Sequence, residues 1–412
     1  MTSVSPPSGP GPLARREARL AWGLLFPTLF IVSLVVILPL LAIFWISVKP
    51  VELADLRPPS VILREDFRGD PGEGNFQLDY RIRVSSADAA MSGVGFRDVL
   101  PEGVRPLDLP PACRLDGQVL DCDFGDVEGG FRERLRIPAE ATPEFIAAPS
   151  ENDAVEAQVR GDGEFVLTNL EFTGENFAKV FSARDFLSVL WATAFYTVVG
   201  TIGALGVGLM AALLLNRSFK GQGLLRGLYL FPYVAPVIAV AFTWVTLFDP
   251  FSGSANALLL QMGVTDAPIN FFGDRPLALI MVTVFEIWRY FPLSFLFILA
   301  RMQSIDTDMY EAADMDGASP FQKFRYLSLP MLLGILSVLF LLRFIWTFNK
   351  FDDIFLLTGG NAGTRTLTVN VYEQAFAISN IGAGAAVAVV VFATLLVFAA
   401  LFFRFISREE GL

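Results

Sequence analysis

Charged and aromatic side chains interrupt two long apolar segments of this chain, residues 277–300 and 329–348. In the first segment, Glu286 and Arg289 are three residues apart, so they lie on one helix face and are predicted to pair; Tyr290 follows them. In the second, Arg343 lies deep in the apolar run, and Thr347 and Asn349 follow towards its end. Donors, acceptors and flat rings together suit noncovalent binding of a hydroxyl-rich solute.

Polar groups within apolar helices also have a structural use, because they hydrogen-bond between helices. That alternative stays open for each of these residues. For Arg343 we favour a structural ion pair, since a charge inside an apolar segment normally has a partner.

Few residues of the chain could catalyse a covalent reaction. It contains no histidine and only two cysteines, so the commonest general base and the usual tetrahedral metal sites are missing. No G-x-x-x-x-G-K-[ST] loop occurs. We therefore predict no catalytic residue, no metal site and no cofactor on this chain, and any ATP-driven process must use a nucleotide site on another chain.

The composition indicates a membrane protein, because 53% of the 412 residues are hydrophobic and only 18% are charged. A membrane-spanning helix needs roughly 20 apolar residues. Six segments qualify: 22–48, 187–215, 224–247, 277–300, 329–348 and 383–405. The first follows a tail with three arginines, but it is longer than a signal-peptide core and lacks an evident cleavage site, so we expect it to be retained.

The basic residues of the short loops predict the orientation of these spans. Lysines and arginines flank the first span on its amino-terminal side, the 216–223 connection, the 301–328 loop and the end of the last span. The 249–276 loop has only Arg275 against three aspartates. Both termini and the 301–328 loop are therefore expected in the cytoplasm.

The acidic residues are concentrated between the first two spans. Residues 50–180 contain 26 acidic and 13 basic residues, whereas the remainder contains 16 and 18. The net charge of −11 therefore comes from one domain outside the membrane. It gives no indication of nucleic-acid binding.

That inserted region, residues 49–182, has the sequence pattern of a small β-sandwich. Apolar and polar residues alternate over 76–84 and 131–137, and more weakly over 166–172, with turn signals between them. The spacing of Asp98–Gly103, Cys113, Gly117, Cys122 and Gly125 resembles an immunoglobulin-like repeat of bacterial surface proteins.

Both cysteines lie in this region, on the side expected to be oxidising. A Cys113–Cys122 bridge would close a loop of about ten residues and stabilise it by roughly 2–3 kcal/mol. Two unpaired cysteines are the alternative.

A polar loop between the fourth and fifth apolar segments carries the most specific motif, E-A-A, three residues, G, nine residues, an aliphatic residue, any residue, L-P. Asp306 and Asp308 suit the start of a helix, and Gly317 permits a backbone reversal. The motif residues are Glu311, Ala312, Ala313, Asp316, Gly317, Leu329 and Pro330. An ordinary amphipathic loop is the alternative.

This motif resembles the cytoplasmic signature of permease subunits of binding-protein-dependent ATP-binding-cassette (ABC) importers. Residues 311–332, with 230–236, 288–292 and 348–360, resemble the carbohydrate permeases of maltose and α-glucoside type over 187–412. The resemblance implies a coupling helix at about 309–330 that docks into a separate ATPase dimer, which holds ATP and Mg²⁺. It also implies a second permease subunit, a periplasmic sugar-binding protein and transport by alternating access.

The maltose-type resemblance places six positions in or beside a sugar site: Tyr233, Glu286, Arg289, Tyr290, Thr347 and Asn349. Arg289 and Tyr290 replace smaller or apolar residues of that family. The large insert of the maltose-type relative lies between later spans, so it does not predict the role of the insert here, either a docking surface or a tolerated insertion.

The expected fold is an all-α polytopic membrane protein with six transmembrane helices, the ABC type I importer permease fold, and an inserted periplasmic β-sandwich. We expect a bacterial inner membrane protein with a cytoplasmic tail at 1–21, a first span at 22–48, a periplasmic domain at 49–182 and a permease core at 183–412. Alternatives are an importer for another solute, such as a polyol or glycerol phosphate, a membrane-bound enzyme, and a membrane-anchored adhesion or scaffold protein.

Overall fold

The computed structural model describes residues 12–70, 76–86, 89–143, 145 and 155–406. The chain forms two compact units. The first comprises Met1–Asn176 with Ile378–Gly382, and the second comprises Phe177–Ala377 with Ala383–Leu412. Each is described separately below.

The first unit begins with a long apolar helix. Helices α1 (Pro12–Val32) and α2 (Leu38–Ser47) are joined by a π-helical turn, Ser33–Ile37. The helix therefore extends into the tail predicted at 1–21, with Pro12 at its first position, where a missing N–H costs nothing. The stretch Arg16–Ser47 is long and apolar enough to span a membrane.

The described residues that follow form eight strands, in two antiparallel four-stranded sheets of order β1-β2-β7-β4 and β5-β6-β3-β8. The strands are β1 Val61–Arg68, β2 Gln77–Val84, β3 Met91–Val99, β4 Val104–Pro106, β5 Cys113–Asp116, β6 Val119–Val127, β7 Arg132–Ala141 and β8 Val155–Gly163. Side chains from both sheets form one apolar core, which includes Leu78 and Ile137 from the first sheet and Phe96 and Leu120 from the second. The alternation seen over 76–84 and 131–137 corresponds to β2 and β7.

Two side-chain links reinforce this core. Tyr80 of β2 donates a buried hydrogen bond to the carboxylate of Asp98 on β3, so it joins the two sheets. Burial raises the pKa of both side chains. Cys113 and Cys122, which face each other on β5 and β6, are joined by a disulfide bond.

The strand predicted at 166–172 is wrong, since these residues form a turn and an extended connection. Their backbone groups bond to the end of α2 and the residues after it. The indole nitrogen of Trp45 donates to the Leu167 carbonyl at 2.9 Å, and Lys49 donates to the carbonyl of Asn169. The ammonium of Lys49 also lies 4.4 Å from the ring centroid of Phe172. A segment anchored in this way cannot join a sheet ladder.

The second unit is helical. Its helices are α3 Glu175–Ser182, α4 Phe186–Leu215, α5 Gln222–Tyr229, α6 Phe231–Val234, α7 Val237–Leu247, α8 Ser254–Gln261, α9 Leu277–Gln303, α10 Thr307–Met315, α11 Pro320–Lys323, α12 Leu329–Phe348, α13 Asp352–Thr358, α14 Leu367–Tyr372 and α15 Ile381–Ile406. In the described part of the whole chain, five helices are long and apolar enough to cross a membrane, or six if one bent pair forms a single span.

The bent pair corrects the prediction of one continuous span over 224–247. Residues Gln222–Val234 and Val237–Leu247 meet at an angle of 89°. Ala235 is extended, with φ −62° and ψ 143°, immediately before Pro236. Proline has no N–H and disfavours the helical conformation in the residue before it, so the helix ends there.

Helices α4 and α9 pack closely because small residues of α4 face α9. A Cβ atom added at Gly208 would lie 2.7 Å from the Cβ of Ser294 and 2.9 Å from the backbone nitrogen of Phe295. This contact therefore requires glycine, as in many helix pairs within membranes. It holds α4 against α9, the helix that carries Glu286, Arg289 and Tyr290.

Candidate functional site

A buried carboxylate, that of Glu286 on α9, is bound by three donors from two other helices. Arg343 of α12 donates to Oε1 at 2.6 Å and Thr347 donates to the same oxygen at 2.8 Å. Tyr196 of α4 donates to Oε2 at 3.0 Å. Glu286 is fully buried, so these bonds supply the partners that a charge inside the protein requires.

The position of Glu286 depends on a small residue opposite. A Cβ added at Gly200 of α4 would lie 3.0 Å from Cγ of Glu286 and 3.5 Å from Cγ2 of Thr347. Gly200 lies one helical turn beyond Tyr196, so the same face of α4 provides both the donor and the space for the carboxylate.

Arg289 does not pair with Glu286, which corrects the sequence prediction. Its guanidinium instead donates to the carbonyl of Pro232 at 3.1 Å and to that of Ala235 at 3.0 Å. The Pro232 carbonyl would ordinarily accept from the N–H of residue 236, but that residue is proline. Arg289 thus satisfies carbonyl groups that the break between α6 and α7 leaves free, and Glu286 remains available to Arg343.

Tyr290 lies among three cations. The ring centroid is 4.7 Å from the Arg343 guanidinium, 4.6 Å from the Lys350 ammonium and 5.6 Å from the Arg289 guanidinium. Tyr233 meets it edge-on, with 6.1 Å between ring centroids. Each cation lies within the range in which the face of an aromatic ring attracts it.

Asp353 of α13 is a second buried carboxylate of this unit. It is fully buried, and neither of its oxygens has a hydrogen-bond partner among the described residues. The charged groups near it are Glu286, Asp352, Lys350 and Arg289.

The loop carrying the E-A-A motif contains a short, exposed helix. Helix α10 begins at Thr307, and the Asp306 carboxylate accepts from the N–H of Asp308 at 3.1 Å. Gly317 then has φ +75°, the left-handed conformation that suits glycine. Ser319 and Gln322 form a reciprocal capping box at the start of α11.

Leu329 and Pro330 lie within a longer helix, so the span predicted at 329–348 continues a helix that begins at Pro320. Helix α11, a π-helical turn at Phe324–Ser328 and helix α12 run on without interruption. In the π turn, the N–H of Leu329 bonds to the Phe324 carbonyl, five residues back. This change of register accommodates Pro330, which cannot donate to the turn before it.

Three large apolar or aromatic side chains of this loop are exposed. Met315, Phe321 and Tyr326 have exposed fractions of 89%, 69% and 69%. Glu311 and Ala312 are also exposed, and Ala313 is half-buried. The loop is tied to the span that follows it, because the hydroxyl groups of Tyr310 and Ser328 lie 2.9 Å apart.

Comparison with known proteins identifies the family. The family described as binding-protein-dependent transport system inner membrane component matches residues 204–409, half of the chain. This chain belongs to that family. The resemblance to ABC importer permeases predicted from the E-A-A motif is therefore confirmed, and the protein is an inner membrane transport subunit.

Individual relatives agree with the family. The inner membrane ABC transporter permease protein YcjO of Escherichia coli is 38% identical over 221 residues, 53% of this chain and 73% of that protein. The trehalose/maltose transport system permease protein MalF of Thermococcus litoralis is 33% identical over 230 residues, which cover 56% of this chain and 77% of that protein. The sn-glycerol-3-phosphate transport system permease protein UgpA of Agrobacterium fabrum is 28% identical over 270 residues, which cover 64% of this chain and 90% of that protein.

A solved structure shares the permease fold. The crystal structure of a bacterial alginate ABC transporter, in complex with an alginate pentasaccharide-bound periplasmic protein, matches with a TM-score of 0.54 at 18% identity. The match covers 57% of this chain and 83% of that one.

Within this permease, the structure brings together five of the six positions that the resemblance placed at a sugar site. Tyr233, Glu286, Arg289, Tyr290 and Thr347 lie in or beside the cluster described above. Asn349 does not join them, since its side chain is exposed and donates to its own helix, at the Ile345 carbonyl, at 2.8 Å.

Sequence reasoning missed Tyr196 and gave Arg343 no named partner. Tyr196 is the single tyrosine of the apolar α4, and Gly200 follows it at helical spacing. A polar residue four positions before a glycine in a membrane span is a usable signal for a buried contact with a neighbouring helix.

Proposed function

We propose that this chain is a permease subunit of an ATP-driven importer for a sugar, and that an ATPase on a separate chain drives it through the E-A-A loop. The observation that carries the proposal is the exposed apolar surface of Met315, Phe321 and Tyr326 on that loop. In a loop between membrane helices, such a surface favours a protein partner. The family match over 204–409 supports it.

The orientation follows from charge. From the lysines and arginines of the short loops we infer that both termini and the E-A-A loop lie in the cytoplasm, and that residues of about 49–182 lie in the periplasm. The partners are then an ABC ATPase dimer carrying ATP and Mg²⁺, a second permease subunit and a periplasmic sugar-binding protein.

The contacts of the loop suggest how the ATPase would act. Movement of α10 would pass to α11 and α12 through the Tyr310–Ser328 contact and the continuous helix after Pro320. Helix α12 also holds Glu286 of α9 through Arg343 and Thr347. Spans linked in this way can rock as one body between inward-open and outward-open states.

The sugar would be an α-glucoside or another oligosaccharide. Tyr233 is exposed and offers a flat surface for sugar C–H faces, and Asn349 has an exposed amide. Tyr290 is buried among its three cations and lies beside Tyr233. The bonding capacity of Glu286 is largely used by Tyr196, Arg343 and Thr347. We therefore assign Glu286 and Tyr290 a framework role, and direct contact with the sugar to Tyr233.

Uptake by cells tests the assignment. A strain lacking this protein would be supplied with the wild type or with the double variant Glu311→Lys/Gly317→Val, and uptake of a panel of radiolabelled disaccharides would be measured. The matched control is Asp266→Lys/Gly263→Val, which likewise changes an acidic residue and a glycine, here in the 249–276 loop. Gly263 also has positive φ and open space around it. Uptake should fail only in the first variant. Normal uptake of every glucoside without the protein would refute the sugar assignment.

A second candidate substrate is an anionic polyol such as glycerol phosphate. The three cations around Tyr290 favour it, and one relative is named for glycerol 3-phosphate. Competition decides between the two. Unlabelled glycerol 3-phosphate should block uptake of the labelled substrate if that substrate is an anionic polyol. It should leave disaccharide uptake unchanged if the substrate is a neutral sugar.

A further inference from the structure

The outer face of sheet strands β1, β2 and β7 carries an unusual number of arginines. The strand registers place seven arginines and two aspartates there: Arg64, Arg68, Arg81, Arg83, Arg132, Arg134, Arg136, Asp66 and Asp79. We call this surface the arginine face. Residues 50–180 contain only 13 basic residues against 26 acidic ones, so more than half of the positive charge of an acidic domain lies on one side of one sheet.

The arginines stand directly opposite one another. Arg64 of β1, Arg81 of β2 and Arg134 of β7 form one row across the three strands. In the next row, Arg83 lies directly opposite Arg132. Like charges at directly opposed positions destabilise a sheet. An arrangement that costs stability calls for a compensating anion.

Asp79 compensates only part of this charge. Its buried carboxylate lies 2.8 Å from Nε of Arg68, 3.3 Å from a terminal nitrogen of Arg81 and 2.5 Å from one of Arg134. Arg64, Arg83, Arg132 and Arg136 are exposed and form no ion pair with any residue in the described ranges.

The opposite sheet shows that the domain can neutralise such residues. On its outer face, Arg160 lies 2.9 Å from one oxygen of Asp121, and Arg97 lies 3.3 Å from the other. Asp123 is a further acidic neighbour of Arg160, at 3.5 Å. Arg57, Arg105 and Arg114 also lack an ion pair in the described ranges, so the arginine face differs in that its unpaired arginines lie side by side on neighbouring strands.

The arginine face also has a shape suited to a ligand. An open cavity lies over it. Its lining includes Ile62, five arginines and one carboxylate: Arg64, Arg81, Arg83, Arg132, Arg134 and Glu133. The cavity thus collects most of the positive charge, including the two arginines of the unpaired row.

We propose that the arginine face binds a soluble oligosaccharide that carries carboxylate groups. A guanidinium binds a carboxylate through two parallel hydrogen bonds. Within a row, arginines on neighbouring strands lie about 4.8 Å apart. This spacing matches a chain of several anionic groups better than a single ion. The choice of a saccharide rests on the proposed function; the charge argument does not.

Binding to the full chain tests this directly. The protein would be placed in nanodiscs of zwitterionic lipid and titrated with fluorescently labelled tetragalacturonate, followed by anisotropy at roughly 0.15 M salt. Arg83→Gln/Arg132→Gln should weaken binding by about tenfold or more, since two charge-assisted contacts are lost and the pairs of Asp79 are kept. The matched control, Arg57→Gln/Arg114→Gln, removes the same charge at exposed arginines elsewhere in the domain and should stay within about twofold.

Four results would overturn the proposal: no binding by the wild type, equal losses in the two double variants, tighter binding of polyphosphate than of the uronate, or selective binding of phosphatidylglycerol vesicles. Hydrogen exchange of the β2 amides checks that the variants fold. Because anisotropy measures binding without transport, failure of the permease assignment in the uptake assay is distinguishable from failure here.

Discussion

Arg343 on α12 donates to Glu286 on α9 at 2.6 Å, and both side chains are almost completely buried. The two residues lie 57 positions apart in the chain, and the bond joins two helices long enough to span a membrane. We expect Arg343→Leu to destabilise the protein by about 3–5 kcal/mol, because it leaves a buried carboxylate unpaired. Thermal unfolding of the full chain in detergent measures the loss.

The ion pair of Lys323 with Asp314 provides the control. Its atoms are also 2.6 Å apart, but the Asp314 side chain is 60% exposed. Lys323→Leu should therefore cost at most about 1 kcal/mol. If the two substitutions cost the same, the Arg343–Glu286 pair does not hold the helices together.

Arg289→Leu should destabilise the protein less when Pro236 is also replaced. Arg289→Leu leaves the carbonyls of Pro232 and Ala235 without a donor, at about 1–3 kcal/mol for each buried group. Adding Pro236→Ala restores an N–H four residues after Pro232, so the double variant should regain part of the stability. Unfolding temperatures of the single and double variants measure this, and strictly additive losses would contradict it.

The stability of the β domain should depend on acid through Asp79. Hydrogen bonds from Arg134, with those from Arg81, hold the pKa of this carboxyl well below its usual value. Its stabilising contribution is therefore complete above about pH 4 and is lost as the pH falls further towards the folded-state pKa. The stability difference between wild type and Asp79→Asn should shrink below about pH 4.

Hydrogen exchange of the β2 and β7 amides in the full chain measures that difference at each pH. Asp66→Asn is the control, because Asp66 lies on the same face but is 60% exposed and 3.9 Å from Arg68. An Asp79→Asn effect that is independent of pH would show that the arginines do not act on the ionised carboxylate.

Tyr80→Phe should loosen the contact between the two sheets. The substitution keeps the ring but leaves the buried carboxylate of Asp98 without the donor that joins β2 to β3, at about 1–3 kcal/mol. Exchange of amides in both sheets should accelerate together. Tyr326→Phe, at a tyrosine that is 69% exposed, should have no such effect; equal exchange in the two variants would count against the link.

Periodicity predicted the elements well where one face or a whole segment is apolar. The segments 187–215 and 329–348 correspond closely to α4 and α12, and 76–84 to β2. Apolar content alone could not predict the bend at Pro236, because the lost N–H is compensated by a residue of another helix. The residues at 166–172 alternate like a strand, yet their carbonyls are taken by Trp45 and Lys49.

The candidate site shows the same limit. Spacing placed Glu286 and Arg289 on one face of a helix and so predicted a pair. Their partners depend on how α4, α6 and α12 pack against α9, which no local pattern encodes. The local signals of the E-A-A loop were more reliable, since Asp306 and Gly317 act on their own backbone neighbours.

Site-specific cross-linking tests the central claim, that a separate ATPase docks on the E-A-A loop. Both native cysteines are held in one disulfide, so an introduced cysteine reacts almost alone. Met315→Cys, at a position 89% exposed, should cross-link to the ATPase subunit in membranes, whereas Phe251→Cys, at a position 96% exposed in the 249–276 loop, should not. An adduct at Phe251→Cys without one at Met315→Cys, or no adduct at either, would contradict the account.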